Sequence, residues 1–136
     1  MSAVERIPLD QEGWSLSAAV AVDANAPGRW IHISGLTASA GSEPVPEGLD
    51  GLADMEWRAN SVFDQFEDYL RRAGGELSNI VRMRVYLTEP ENYAALSKVR
   101  SARFAGNYPA STSVQVAGLL GGEKLEIDAV AFIPES

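Results

Sequence analysis

The sequence predicts an α+β two-layer domain, with two helices packed on one face of a mostly antiparallel sheet, and three observations carry that prediction. Residues 54–73 set Met55, Ala59, Val62, Phe66 and Leu70 at spacings of three and four, the stripe of one helical face. Residues 80–87, "IVRMRVYL", alternate Val81, Met83, Val85 and Leu87 with Arg82, Arg84 and Tyr86, the period of a half-buried strand. A second helix-like segment follows, with Tyr93, Leu96, Val99 and Arg103 along one side. Two helices that are each apolar on one side must share a surface to bury, and a sheet supplies it.

The elements follow in the order ββαβαββ. Residues 16–22 and 29–36 are β-like runs joined by "DANAPG", whose Asn25, Pro27 and Gly28 are turn formers, so the pair reads as a hairpin. Residues 37–51 are polar and rich in Gly and Pro, the composition of a surface loop. The first helix carries acids early, Arg71 and Arg72 late, and then Gly74-Gly75, in agreement with the helix macrodipole and a glycine C-cap. Thr88 and Glu91 have the spacing of a capping box for the second helix, with Pro90 in its first turn, and Gly106-Asn107 ends it. Residues 112–117 and 124–132 read as strands, with Gly121-Gly122 between them as the tight turn of a second hairpin.

The chain of 136 residues, 46% hydrophobic and 22% charged, suits one domain spanning 1–136. The net charge of −8, with no run of Lys or Arg, repels phosphate backbones and argues against a nucleic-acid partner. No apolar run reaches the roughly 18 residues of a membrane span, and the N-terminal residues lack the apolar core of a secretory leader. The expected location is cytoplasmic and the expected membrane partner is none. With no cysteine and the single histidine His32, neither thiolate chemistry nor a Cys- or His-rich metal site is available, and no cofactor is expected.

The sheet's second face mixes types. In residues 125–132, Glu126, Asp128, Val130 and Phe132 alternate with the core-facing set, and Arg82, Arg84, Tyr86 and Gln115 are expected beside them. Acids and arginines among large apolar groups make a surface too apolar for open water and too polar for a core, the composition of a subunit interface.

The stretches "RVYLTEPENYAALSKVRSARF", "YPASTSVQVAGL" and "LEIDAVAF", together with "WIHISGLT", resemble in order and spacing the reactive intermediate deaminase (RidA/YjgF) family. The resemblance covers nearly the whole chain and is weakest before Ala18 and in residues 37–51. It implies a chorismate-mutase-like fold and a homotrimer, with three sheets forming a central barrel and a small-molecule cleft between subunits. It also implies hydrolysis of enamines and imines such as 2-aminoacrylate to a keto acid and ammonia, without metal or organic cofactor.

Residue by residue, the resemblance is incomplete. Where the family has an arginine after the Pro-Ala step, to clamp the substrate carboxylate, this chain has Ser111. A hydroxyl is one neutral donor and does not reproduce a bidentate ionic contact. The tyrosine that the family often has at the start of its first strand corresponds to Leu16, and its second-helix asparagine to Ser97. Glu126 matches the acid that positions or activates water, and Gly35 the glycine whose backbone approaches the ligand, with Ser34 beside it.

Candidate substrate-binding residues are therefore Ser111, Ser113, Gly35, Ser34, Tyr86, Arg84, Ser97 and Leu16, and the candidate catalytic residue is Glu126. Arg84 or Arg82 has two readings, a replacement cation for the ligand or an inter-subunit salt bridge with Glu126 or Asp128. Glu126 correspondingly stands as a general base or as a paired carboxylate. His32, alternating with Trp30 and Ser34, reads as a packed or hydrogen-bonded structural histidine in preference to half of a Ser-His pair. Two functions from different classes follow. One is a divergent hydrolase or deaminase of a reactive enamine or imine that handles 2-aminoacrylate poorly; the other is a non-catalytic trimer that binds a ligand or serves as a scaffold. The ribonuclease activity attributed to some relatives is disfavoured by the charge.

Overall fold

Six strands and two helices are present in a computed structural model that describes residues 2–135. The strands are β1 (Val4–Pro8), β2 (Ser17–Val22), β3 (Gly28–Leu36), β4 (Ile80–Leu87), β5 (Ala110–Gln115) and β6 (Leu125–Pro134). The helices are α1 (Gly51–Arg72) and α2 (Tyr93–Phe104). The sheet order is β1-β2-β5-β4-β6-β3. β5 runs parallel to β4 and β2, and the remaining pairs are antiparallel, so the sheet is mixed.

Both helices lie on one side, as the stripes require. Met55, Val62, Phe63, Phe66 and Leu70 of α1 are buried against Met83, Val85 and Leu87 of β4 and against Leu125, Ile127 and Ala129 of β6. Phe63 meets Phe104 of α2 edge-on at 5.4 Å, the preferred geometry for two quadrupolar rings, and locks the helices to each other. α1 ends as expected: Gly74 has φ 89°, its N–H donates to the Arg71 carbonyl at 3.1 Å, and Gly75 N–H donates to Leu70 at 2.8 Å. That is a Schellman motif, which only a residue tolerant of positive φ closes without strain.

Four expectations are corrected. Neither hairpin forms, because β2 pairs with β1 and β3 pairs with β6, while β5 and β6 flank β4 on opposite sides. Turn residues report only that the chain reverses, and strand partners are chosen by which apolar faces fit. The sequence VERIP adds the strand β1, which Arg6 ties down by donating to the carbonyls of Ser78 at 2.6 Å and Tyr108 at 3.1 Å. The Thr88 capping box is absent: Thr88 N–H donates to Lys124 O, a turn at Pro90–Asn92 intervenes, and α2 begins at Tyr93. Gln115 sits opposite Leu87 in the β4/β5 register and so belongs to the helix side, not to the second face.

The sheet is curled. β2 and β3 stand four strand intervals apart in the order, about 19 Å if flat. Six Cα steps that include the turn closed by Ala26 N–H to Asp23 O must connect them. Val20 and Val22 of β2 and Trp30 of β3 line one hollow of about 500 Å³ with Arg82 and Val130 on the second face, and that shared hollow makes the face concave.

Candidate functional site

The predicted residues fall into two groups on opposite sides of the sheet. Glu126 and Tyr86 are register partners on the second face, as are Asp128 and Arg84. Ser34 and Gly35 occupy an irregularity in the β3/β6 pairing, between Ile33 opposite Ala129 and Leu36 opposite Ile127. The bulge turns the β3 backbone toward Glu126. A Cβ built on Gly35 would lie 2.7 Å from Glu126 Oε2, so only glycine lets the carboxylate lie against the strand.

Glu126 is half-buried and forms no ion pair among the described residues. The β4 arginine that pairs is Arg84, whose Nε donates to Asp128 Oδ1 at 3.0 Å while more than half of its side chain stays exposed. That pair lies within one chain, and among the described residues it leaves Glu126 without a cation. His32 is exposed, opposite Val130.

The second group gathers at β5 on the helix side. Ser111 is the register partner of Met83 and Ser113 that of Val85, both core-facing residues of β4. The β2/β5 ladder has a single register pair, Ser17 opposite Ala110, so from Ser111 onward β5 has no ladder partner on that side. Leu16 and Ser97 line a neighbouring cavity of about 800 Å³ between α2 and the segment leading into β2. Ser97 Oγ is 2.9 Å from the Oγ of buried Ser15.

At the centre of this group stands a residue that the sequence reading missed. Arg100 of α2 is fully buried; its Nε donates to Ser15 Oγ at 3.0 Å, Nη1 to Ser111 Oγ at 3.0 Å and Nη2 to the Tyr93 hydroxyl at 2.6 Å. Burial pulls the guanidinium's pKa down while Tyr93 acts in the opposite direction. The available signal was an arginine four residues after Leu96 on the apolar stripe with no acid one turn away, but Arg103 looks equally placed. The two diverge because Arg103 reaches Asp64 of α1 at 2.9 Å at the solvent edge, whereas Arg100 points under the sheet.

An ionic cluster holds the ends of the strands that carry Gly35 and Glu126. Arg58 of α1 donates through Nε to both oxygens of buried Asp54, at 3.0 and 2.9 Å, and through Nη1 to Glu123 at 3.3 Å. Glu123, just before β6, also accepts from Ser39 N–H at 3.0 Å, just after β3. Burial works to raise the Glu123 pKa, but the hydrogen bonds from Ser39 and Thr37 and the charge of Arg58 outweigh it and hold the carboxyl below its ordinary value.

Two helices on one face of this curled mixed sheet, with a carboxylate against a glycine bulge, define a chorismate-mutase-like α+β protein. The family model described as Endoribonuclease L-PSP matches residues 16–133, and the chain belongs to that family, the RidA/YjgF proteins. A human protein named 2-iminobutanoate/2-iminopropanoate deaminase is 32% identical over 118 residues, covering 85% of this chain and 78% of the relative. Protein DfrA of Myxococcus xanthus is 35% identical over 78 residues, 57% of this chain and 60% of DfrA. Among solved structures, a Rid family protein of unknown function from Yersinia pestis superposes with a TM-score of 0.77 at 29% identity, covering 97% of this chain and all of that one. Among the described residues no helix is long and apolar enough to cross a membrane.

Proposed function

We propose that the protein is a Rid-type hydrolase of small enamines or imines that works in clefts between the subunits of a homotrimer, with Glu126 handling the proton of the attacking water. The observation that supports it is the free Glu126 carboxylate seated against Gly35 on a concave, partly apolar sheet face. One chain places Glu126 and Ser111 on opposite faces of its sheet. A cleft that uses both takes one group from each of two chains, and half-exposed Trp30 on the concave face supplies apolar area for such an interface.

The chemistry balances without a cofactor. An enamine takes a proton on carbon to give the iminium; water adds to the iminium carbon as its proton passes to Glu126. After Glu126 returns that proton to nitrogen, the carbinolamine expels ammonia as its hydroxyl proton passes to the Glu126 carboxylate and on to solvent, which leaves the carbonyl product and replaces the proton taken up on carbon. The carboxylate thus acts first as base and then as acid.

Because Ser111 stands where the resemblance places a clamping arginine, saturation with 2-aminoacrylate is expected to need higher concentrations than in arginine-bearing relatives. The test is ammonia and keto-acid release from 2-aminoacrylate and 2-iminobutanoate generated in situ. Turnover above the spontaneous rate supports the reading, and its absence with every imine tried, together with saturable binding of a keto acid, establishes the binding-module alternative.

Two further outcomes are expected. Light scattering at micromolar concentration should give three times the chain mass, and a monomer would remove the shared cleft. Gly35→Ala should displace the Glu126 carboxylate, cutting kcat/KM by about 10- to 100-fold with the thermal midpoint nearly unchanged. An unaltered rate would separate Glu126 from the reaction.

A further inference from the structure

We infer that Arg100 turns the hydroxyls of Ser111 and Tyr93 into a donor pair for a ligand's carboxylate, so that the cation binds the anion through an intervening layer of oxygen. This deepens the proposed function and rests on the cleft's being a ligand site.

The first step is a charge without a counter-charge. Arg100 is completely buried, and its partners are all neutral: Ser15 Oγ, Ser111 Oγ, the Tyr93 hydroxyl and, at 3.7 Å, Met83 Sδ. Among the described residues no carboxylate lies within ion-pair distance of it, whereas Arg58, Arg84 and Arg103 each have at least one. A guanidinium keeps its proton in proteins, so the fold carries a buried positive charge that only dipoles offset, a costly arrangement. An anion brought near the site recovers part of that cost.

The second step is the direction of the hydroxyls. An oxygen that accepts from a guanidinium has its own hydrogen free to point elsewhere. Nη1 and Nη2 each hold one hydroxyl oxygen, Ser111 and Tyr93, so two O–H donors are presented from one fork, oriented and polarised by a single charge. Ser111 and Tyr93 are both half-buried, and Ser111 lies where β5 has no strand partner on its outer side. A planar carboxylate offers two acceptors for two such donors. Nε works in parallel through Ser15, whose hydroxyl is then free to donate to Ser97 on the neighbouring cavity.

The test compares pyruvate with its neutral amide, pyruvamide, by calorimetric titration. Wild type should bind pyruvate at least tenfold more tightly than the amide, with the preference falling as salt is raised. Ser111→Ala and Tyr93→Phe, which leave Arg100 in place, should each reduce the preference about fivefold, the effect of one hydrogen bond. Arg100→Met should abolish the preference while leaving amide affinity within about twofold; Arg100→Lys should restore part of it.

Equal binding of acid and amide by wild type, no binding of either at tens of millimolar, or an unchanged preference in both hydroxyl variants overturns the proposal. Should Arg100→Met fail to fold, the hydroxyl variants and the salt dependence still decide. Acid preference without imine turnover would preserve this site while removing the hydrolase reading, and turnover indifferent to these variants would do the reverse.

Discussion

Glu126→Gln should lower kcat/KM for imine hydrolysis by about 10²- to 10⁴-fold, the usual contribution of a positioned general acid-base group. The amide is isosteric, so it keeps the close approach to Gly35 and removes only the capacity to take up and return a proton. Since the wild-type carboxylate has no ion pair among the described residues, the substitution strands no buried partner, and the thermal midpoint should stay within about 2 °C. The measurement is ammonia release alongside calorimetric unfolding. A retained rate would assign water activation elsewhere; a lost rate with a collapsed fold would make Glu126 structural.

The largest expected effect on stability lies at Arg58. Arg58→Leu would leave Asp54 and Glu123, both buried, without the guanidinium that holds them at 2.9 to 3.3 Å. Breaking one side of such a network typically costs about 3–5 kcal/mol, equivalent here to a fall of roughly 10–20 °C in Tm. Lys124, 3.6 Å from Asp54, and Ser39 N–H moderate the loss without replacing the fork. The combined variant Asp54→Asn, Arg58→Met, Glu123→Gln should recover most of the midpoint, because no buried charge is then unpaired. Failure of that recovery would show that Arg58 acts by packing.

The pH dependence has a definite sign. The Glu123 carboxyl titrates below its unfolded value, so its stabilisation is complete above the ordinary carboxylate pKa of about 4.3 and is lost as pH falls through the lower folded value. The midpoint of the wild type should therefore fall more steeply below about pH 4 than that of the Arg58→Leu variant, in which one of the causes of the depression is gone. The same cluster anchors the end of β3 and the start of β6, so a loosened Arg58 variant should also lose activity through a displaced Glu126.

Much of the architecture was legible because it depends on period. The α1 stripe, the β4 alternation and the glycines after Arg72 each state a local rule that the fold then obeys. The second face was legible for the same reason, since alternation along β6 separates Glu126 from Leu125 and Ile127 whatever the strand's neighbours. Pairing was not. Asn25, Pro27, Gly121 and Gly122 mark reversals truly, yet the strands on either side of each reversal lie apart in the sheet. Partnership is set by contacts between residues far apart in the chain.

The candidate site divides along the same line. Glu126, Gly35 and Ser111 could be named from the resemblance, because each is a residue type at a fixed distance from a signature. That Glu126 and Ser111 face opposite sides followed only from the β4/β5 and β4/β6 registers. Arg100 is the sharper case. Three residues from Arg103 and chemically identical to it, it differs in where one helical turn carries it, toward Ser111 and Tyr93 in place of Asp64.

By itself the sequence determined the two helices and five of the six strands, the side of the sheet on which the helices lie, and the presence of a serine after the Pro-Ala step. Only the tertiary structure decided which strands meet, that the sheet curls, and that a buried guanidinium from α2 stands behind that serine. The reason is physical: periodicity, capping and side-chain chemistry are properties of neighbours along the chain, whereas the surroundings of a charge are fixed by segments that only folding brings together.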